Sequence, residues 1–385
     1  MRARSERPFR TRLMRATSSM AVATTALATL AACSQSSGSG ATTTTATKNP
    51  AAAAAAIRTT KTYTDHPSAF PVSTPLPKAL PPGTKFAYLQ CSAPVCAELA
   101  VLMKSAVAAI HGTLTIVKGG ASTQQLQSAF SSLLAGKPDA LLVPGVEPDT
   151  IAPQLAQAKQ EGIPMVSTGI MDIAKYGIGG SAMGQELAEE VGKLQADWVV
   201  ANKGTKSNIV FYTTKELDFF KPEETSFRAE LTKIGCACKV RTVNIPIATY
   251  GTTAPSRVIS DLQANPNTTV AVFGANDPTT GLPAAMRSAG LSIPYIAYGP
   301  TPAALVDIKS GSQAAGLGLD YPAIAWTMVD QAARLLLKAP LTPAEQKSFV
   351  PVQWLSKDNT DFDISKPWTG YPDYADRFTK LWSVG

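Results

Sequence analysis
From residue 85 onward, short apolar runs alternate with longer amphipathic stretches. The runs 86–90, 114–117, 140–143 and 164–167 are of strand length and rich in aliphatic and aromatic residues. Between them, 98–110, 123–135 and 150–161 carry helical spacing. Ser122 with Gln125 forms a capping box at one helix start, and Gly162 is placed to end another helix. The rhythm then repeats. A long helix is predicted over 183–202, closed by Gly204. Strands follow at 208–212, 240–244, 270–273 and 295–298, with helices at 221–234, 256–265, 282–289 and 323–337. Strand–helix alternation with nearly continuous apolar strands predicts an α/β protein whose parallel sheets are covered on both faces.

The two halves resemble each other. Pro148, Pro164 and Gly169 recur 130 positions later as Pro278, Pro294 and Gly299, each set framing strand, helix and strand. This reads as two copies of one βαβ unit, although shared turn chemistry produces part of such a match. A chain of 385 residues also exceeds what one core usually serves, so two similar lobes are expected.

The pattern before residue 85 is different. Six arginines stand among residues 1–15 against one acid, Glu6, and 16–32 is apolar but rich in Thr and Ser. That is a secretory signal layout, too short and polar for a membrane span. It ends in Leu30-Ala31-Ala32-Cys33, which resembles a bacterial lipobox; lipid on Cys33 would then hold the mature chain at the membrane. Residues 34–61 read as a flexible spacer whose alanine run is too short to persist as a helix, and 67–82 as an extended Pro-rich lead-in. The overall charge of +7 falls to +2 without residues 1–32, which argues against nucleic acid. With Cys33 set aside, two close pairs remain, Cys91 with Cys96 and Cys236 with Cys238. An exported location suggests two local disulfides. Cys236 and Cys238 in extended chain would stand about 6–7 Å apart at Cα. A zinc site using all four, or free buried thiols, are the alternatives.

In facing parallel sheets a ligand sits beyond the carboxyl ends of the strands. The residues there are mostly amide, hydroxyl or aromatic, which suits a small neutral or amphipathic molecule. The candidates are Gln90, Ser92, Glu147, Thr168, Tyr212, Phe219, Asn276, Asp277, Tyr298 and Asp320. Each has a plainer reading: Asn276 and Asp277 as helix caps, Asp320 as a turn residue before Pro322, Glu147 as a solvated charge, Tyr212 and Phe219 as core.

The order and spacing of 86–90, 162–166, 270–277 and 307–319 resemble the type I periplasmic-binding-protein family, in its ribose-binding-like, lipoprotein subgroup. The Pro-rich lead-in and early cysteine pair resemble an actinobacterial branch. The resemblance implies two Rossmann-like lobes joined by a three-segment hinge that close on a solute and present it to an ABC permease. It places the crossings near Ser181, near 298–301 and near 320–322. Lobe 1 is then 84–181 with 322–340, and lobe 2 is 182–299 with 300–321. The signal peptide is 1–32, the tether and lead-in 33–83, and an aromatic-rich extension packing on the body is 341–385. It makes Asn276 a ligand-binding asparagine and Asp320 a polar ligand residue near the hinge. Sugar-binding relatives often carry Asp-Arg where this chain has Thr168-Gly169-Ile170, an Asp where it has Gly299-Pro300, and paired aromatics where it has the Cys91–Cys96 loop. These departures speak against a monosaccharide.

The two histidines, His66 and His111, lie away from the strand ends, and no metalloprotease, nucleophile-elbow or Walker motif is present. The expectation is a non-enzymatic, monomeric, lipid-anchored solute-binding protein on the outer face of the cell membrane, without cofactor or metal. A ligand sensor of the same fold signalling to a membrane receptor is the alternative.

Overall fold
A computed structural model describes residues 49–347 and 350–383. The signal segment, Cys33 and the spacer up to residue 48 lie outside the described residues. Helix α1 (Pro50–Thr62) is followed by β1 (Lys85–Gln90), α2 (Pro94–Ala109), β2 (Thr113–Lys118), α3 (Thr123–Ala135), β3 (Ala140–Val143), α4 (Ala152–Gln160), β4 (Met165–Thr168) and β5 (Gly180–Met183). The five strands form one parallel sheet in the order β2-β1-β3-β4-β5. β3 and β4 are buried along their whole length, whereas β2, at the edge, is largely exposed. Central parallel strands covered by helices on both faces need apolar residues throughout, and an edge strand does not.

The second lobe runs through α5 (Gln185–Lys203), β6 (Asn208–Thr213), α6 (Phe220–Ile234), β7 (Lys239–Asn244), α7 (Ala254–Ala264), β8 (Val270–Phe273), α8 (Leu282–Ser288), β9 (Tyr295–Tyr298), α9 (Pro302–Ser310) and β10 (Ala315–Leu319). Then come α10 (Tyr321–Leu336), α11 (Pro343–Gln346), β11 (Val352–Leu355) and α12 (Tyr374–Trp382). The second sheet has the order β11-β10-β9-β8-β6-β7, with only β11 antiparallel. α5 and α6 approach closely at Gly192, where a Cβ would lie 2.1 Å from the Glu223 carbonyl oxygen. The repeat read from the sequence is structural: β3–α4–β4 and β8–α8–β9 match, with Gly162 and Gly290 both left-handed at the helix ends and Gly169 and Gly299 both left-handed after the strands.

Three connections join the lobes: β5 to α5, β10 to α10, and α11 to β11. α10 returns to the first lobe, where Gln331 Nε2 donates to the Ser181 carbonyl at 3.1 Å. The crossing expected near 298–301 is not there, because β9, α9 and β10 all belong to the second sheet. It lies instead between α11 and β11, where the C-terminal extension enters the second sheet.

Two further expectations are corrected. Residues 50–62 are a helix, not part of a spacer. Asn49 caps it by accepting from Ala52 N–H, and its amide donates to the Lys233 carbonyl on α6. Beyond its end the Tyr63 hydroxyl donates to Glu190 on α5. Docking supplies what an isolated alanine run lacks. The segment around Cys236 and Cys238 is not extended, and the bridged pair stands 5.1 Å apart at Cα. Cys91 and Cys96 are also bridged, at 5.5 Å, so neither zinc nor free thiols describes these cysteines. Among the described residues no helix is long and apolar enough to cross a membrane.

Candidate functional site
The carboxyl ends of the two sheets face each other, and backbone groups join them. Val146 and Leu217 form an isolated antiparallel bridge between the loops after β3 and β6. Beside it, Glu147 N–H donates to the Glu216 carbonyl at 3.0 Å and Asp218 N–H to the Gly145 carbonyl at 3.3 Å. The Asp218 carboxylate accepts from Met171 N–H at 2.9 Å, and Asp277 Oδ1 accepts from Val95 N–H at 3.1 Å. These contacts hold the lobes together along the mouth of the cleft.

Behind the mouth is a cavity of about 80 Å³. The Cys91–Cys96 disulfide, Val95 and Leu99 form its floor on the first lobe, with Thr168 at the end of β4 and Met183 at the end of β5. Leu217, Phe219, Phe220, Tyr298 and Tyr321 form the opposite wall. The Phe219 and Tyr298 rings lie parallel within 3°, with centroids 5.4 Å apart. The Tyr321 hydroxyl donates to the Gly299 carbonyl at 3.1 Å. A Cβ on Gly299 would sit 2.2 Å from that hydroxyl, so a side chain there collides with the wall.

Four candidates read from the sequence reach this cavity: Thr168, Phe219, Asp277 and Tyr298. Six do not. The Asn276 amide donates to Thr279 Oγ1 at 2.6 Å, and its oxygen accepts from Gln313 Nε2 at 3.0 Å, so it is held within the second lobe. Asp320 caps α10 through Ala323 N–H and accepts from Thr369 Oγ1 and Gly370 N–H, each at 2.9 Å; it posts the hinge rather than facing a ligand. Tyr212 stacks on Phe273 and donates to Asp261 at 2.6 Å, on the other face of β6. Glu147 borders an outer groove, Ser92 is exposed, and Gln90 ends β1 outside the lining. Tyr212 is thus a packing residue by the pleat of β6, and Asn276, in the turn after β8, by its fully used polar groups.

The electrostatics of the wall come from Asp277 together with two acids that sequence reasoning passed over, Glu98 and Glu223. Glu98, in the first turns of α2, has one buried oxygen with no partner. Burial, then the nearby Asp277 carboxylate, pushes its pKa up to about 7. Burial raises Asp277 to about 6 against the hydrogen bond from Val95. Glu223, on α6 behind Phe220, is fully buried, and burial pushes its pKa well up against the lowering influence of the Gln195 side chain. In sequence each looks like a solvated helix or turn acid; only the packing reveals otherwise.

A family model described as a periplasmic binding protein domain matches residues 92–340, more than half of the chain. No curated protein matches the sequence significantly. Among solved structures, the fold is similar to an ABC sugar transporter subunit from Rhodobacter sphaeroides (19% identity, TM-score 0.62, covering 72% of this chain and 99% of that one). It is also similar to an ABC transporter solute-binding protein from Agrobacterium vitis with bound allitol (18%, TM-score 0.62, 72% and 97%). A carbohydrate transporter from Acidothermus cellulolyticus in complex with myo-inositol matches at 13% identity and TM-score 0.60, covering 77% and 100%.

Proposed function
The chain belongs to the periplasmic binding protein family, and on that premise we propose that it is a solute-binding protein: it captures a small molecule between its lobes, is held at the outer face of the membrane by lipid on Cys33, and delivers its cargo to an ABC importer. The observation that carries the reading is the cavity enclosed between the strand ends of the two lobes beneath a backbone bridge. A binder of this form works by closing: ligand contacts made only in the closed state shift the balance toward it, and an importer reads that shape. The cavity lining is mostly apolar, which supports an amphipathic cargo over a free sugar, whose hydroxyls would need many more partners than this wall offers.

The test is a metabolite panel screened by thermal shift and small-angle scattering. A true ligand at about a hundredfold excess over its Kd should add about 2.7 kcal/mol to the stability of the folded state and reduce the radius of gyration. If no compound moves either quantity, solute capture is wrong. Mass spectrometry of protein extracted from cell membranes should find a diacylglyceryl group on Cys33, and Cys33→Ser should release the protein from the membrane; an unmodified Cys33 in the membrane fraction would refute the anchor.

A further inference from the structure
We propose that the cargo is an organic cation, an ammonium group carried on a compact apolar body, bound between the aromatic wall of the second lobe and the acids at the cavity edge. This rests on the solute-binding reading and names the chemical class. Three independent observations converge on it. The first is charge. Asp277 lines the cavity, and Glu98 is near enough to it to raise its proton affinity, yet no lysine or arginine lines the cavity. Glu223, behind Phe220, is fully buried beside the Gln195 side chain, and the one charged group acting on it is another acid, Glu224. A buried carboxylate is normally paired, because an unpaired charge in an apolar surround is costly. Burial instead raises the proton affinity of these acids, no lysine or arginine is among the groups acting on Asp277 or Glu98, and the cavity that Asp277 lines is where a cationic ligand would meet them.

The second is the wall. Phe219 and Tyr298 stack, with Phe220 edge-on to Phe219 at 6.1 Å, and Tyr321 completes the lining. Aromatic faces attract a cation through the ring quadrupole while excluding water, and they accept its alkyl surface. The third is a vacant acceptor and donor: Tyr298 is only 4% exposed, lines the cavity, and its hydroxyl has no partner. A buried hydroxyl without a bond is rare in a native structure, and a ligand N–H would satisfy it. Size fixes the rest. A cavity of about 80 Å³ is about half of the ~150 Å³ that admits benzene, so in this closed state the apolar body is compact.

Isothermal titration of the purified full chain would use n-butylammonium and tetramethylammonium, each beside a neutral partner of like shape, 1-butanol and tert-butanol, with D-allose and myo-inositol as polyol arms. The expected result is binding of an ammonium at least about tenfold tighter than its neutral partner. Asp277→Asn, which keeps the acceptor for Val95 N–H, should weaken the ammonium more than the neutral compound and so remove that preference. Glu98→Gln should do the same more weakly, and it guards against a folding defect in the first variant. Equal affinity for cation and neutral partner, or a preference that survives both substitutions, overturns the proposal. Binding of polyols or neutral alcohols with lobe closure but no ammonium binding also overturns it, while leaving solute capture intact. Absence of any ligand in the wider metabolite panel removes both.

Discussion
Gly145 shows how closely the mouth of the cleft is built. A Cβ there would lie 2.3 Å from the Thr168 carbonyl oxygen and 3.1 Å from the Gly169 Cα, both backbone atoms that cannot turn aside. The same residue's carbonyl accepts from Asp218 across the cleft. Gly145→Ala should therefore destabilise the closed form by about 1–3 kcal/mol through overpacking, read as a lower urea midpoint and a weaker ligand-induced compaction. An unchanged midpoint with full compaction would show that the loop has slack the structure does not suggest. At this scale the sequence was partly legible. Strand-end placement found Thr168, Phe219, Asp277 and Tyr298, because the rule depends only on topology. It also swept in Tyr212, because alternation along a short strand does not say which face a polar tip will choose once Asp261 is folded against it, and Asn276, because a turn residue after a strand can be claimed by a distant partner such as Gln313. Glu98 and Glu223 were invisible for the opposite reason: an acid in an amphipathic helix is ordinarily solvated.

Among the elements, α12 ties the C-terminal extension to α10 through stacked aromatic rings. Trp326 and Trp382 stack within 7° at 5.2 Å, and Phe378 packs against both. Trp382 Nε1 donates to Asp330 at 2.6 Å, and Asp330 is bound to Arg334, which also meets Glu345; all three charged side chains are buried. Trp382→Ala removes an aromatic core residue and a donor to a buried carboxylate, so it should cost about 3–5 kcal/mol and lower the melting temperature; Trp382→Phe keeps the ring but not the donor and should lie between. A melting temperature unmoved by the alanine variant would mean that the extension contributes little to the fold. The helix face of α12 was readable from Tyr374, Phe378 and Leu381, since a 3.6-residue period is local. β5, β11 and α1 were not. β5 is four residues opening on Gly180, β11 is specified by partners in β10 more than thirty residues away, and α1 is a helix only because α5 and α6 receive it. Each depends on tertiary context that propensity does not carry.

For the whole molecule, the buried acids set a pH dependence. Burial raises Asp277 and Asp320 to about 6, and Glu98 and Asp197 to about 7. Their unfolded values lie at about 4. Raised folded values mean that the native state binds more protons in this window, so their contribution is fully present below about pH 4 and is lost as pH rises through about 6–7. The ligand-free melting temperature should fall from about pH 5 to pH 8; the exposed acids Asp149, Asp363 and Asp373 have lowered values and stay ionised across that range. Asp277→Asn combined with Glu98→Gln should flatten that slope; an equally steep slope in the double variant would assign it to other groups. Two lobes and their βαβ repeat were legible from chain length and from the recurrence of Pro148, Pro164 and Gly169 set on the apolar rhythm. The path of the third connection was not, since nothing local distinguishes a strand that continues one sheet from one that leaves it.

The stretch from Tyr63 to Leu76 has a mechanical consequence. At one end, the carbonyls of Tyr63 and Thr64 accept from Trp354 N–H and the Gln353 amide on β11, in the second lobe. A few residues later, the Ala69 carbonyl accepts from Tyr371, the Thr74 carbonyl from Arg334 on α10, and Leu76 N–H donates to the Leu381 carbonyl on α12. The chain is thus riveted on either side of the pivot with only residues 65–68 free between the fastenings. If the lobes part to admit a solute, as the proposed function holds, such a segment acts as a check-strap on a door: the swing ends where its slack runs out, at roughly 3.5 Å per residue, and any wider gape must first tear these bonds away.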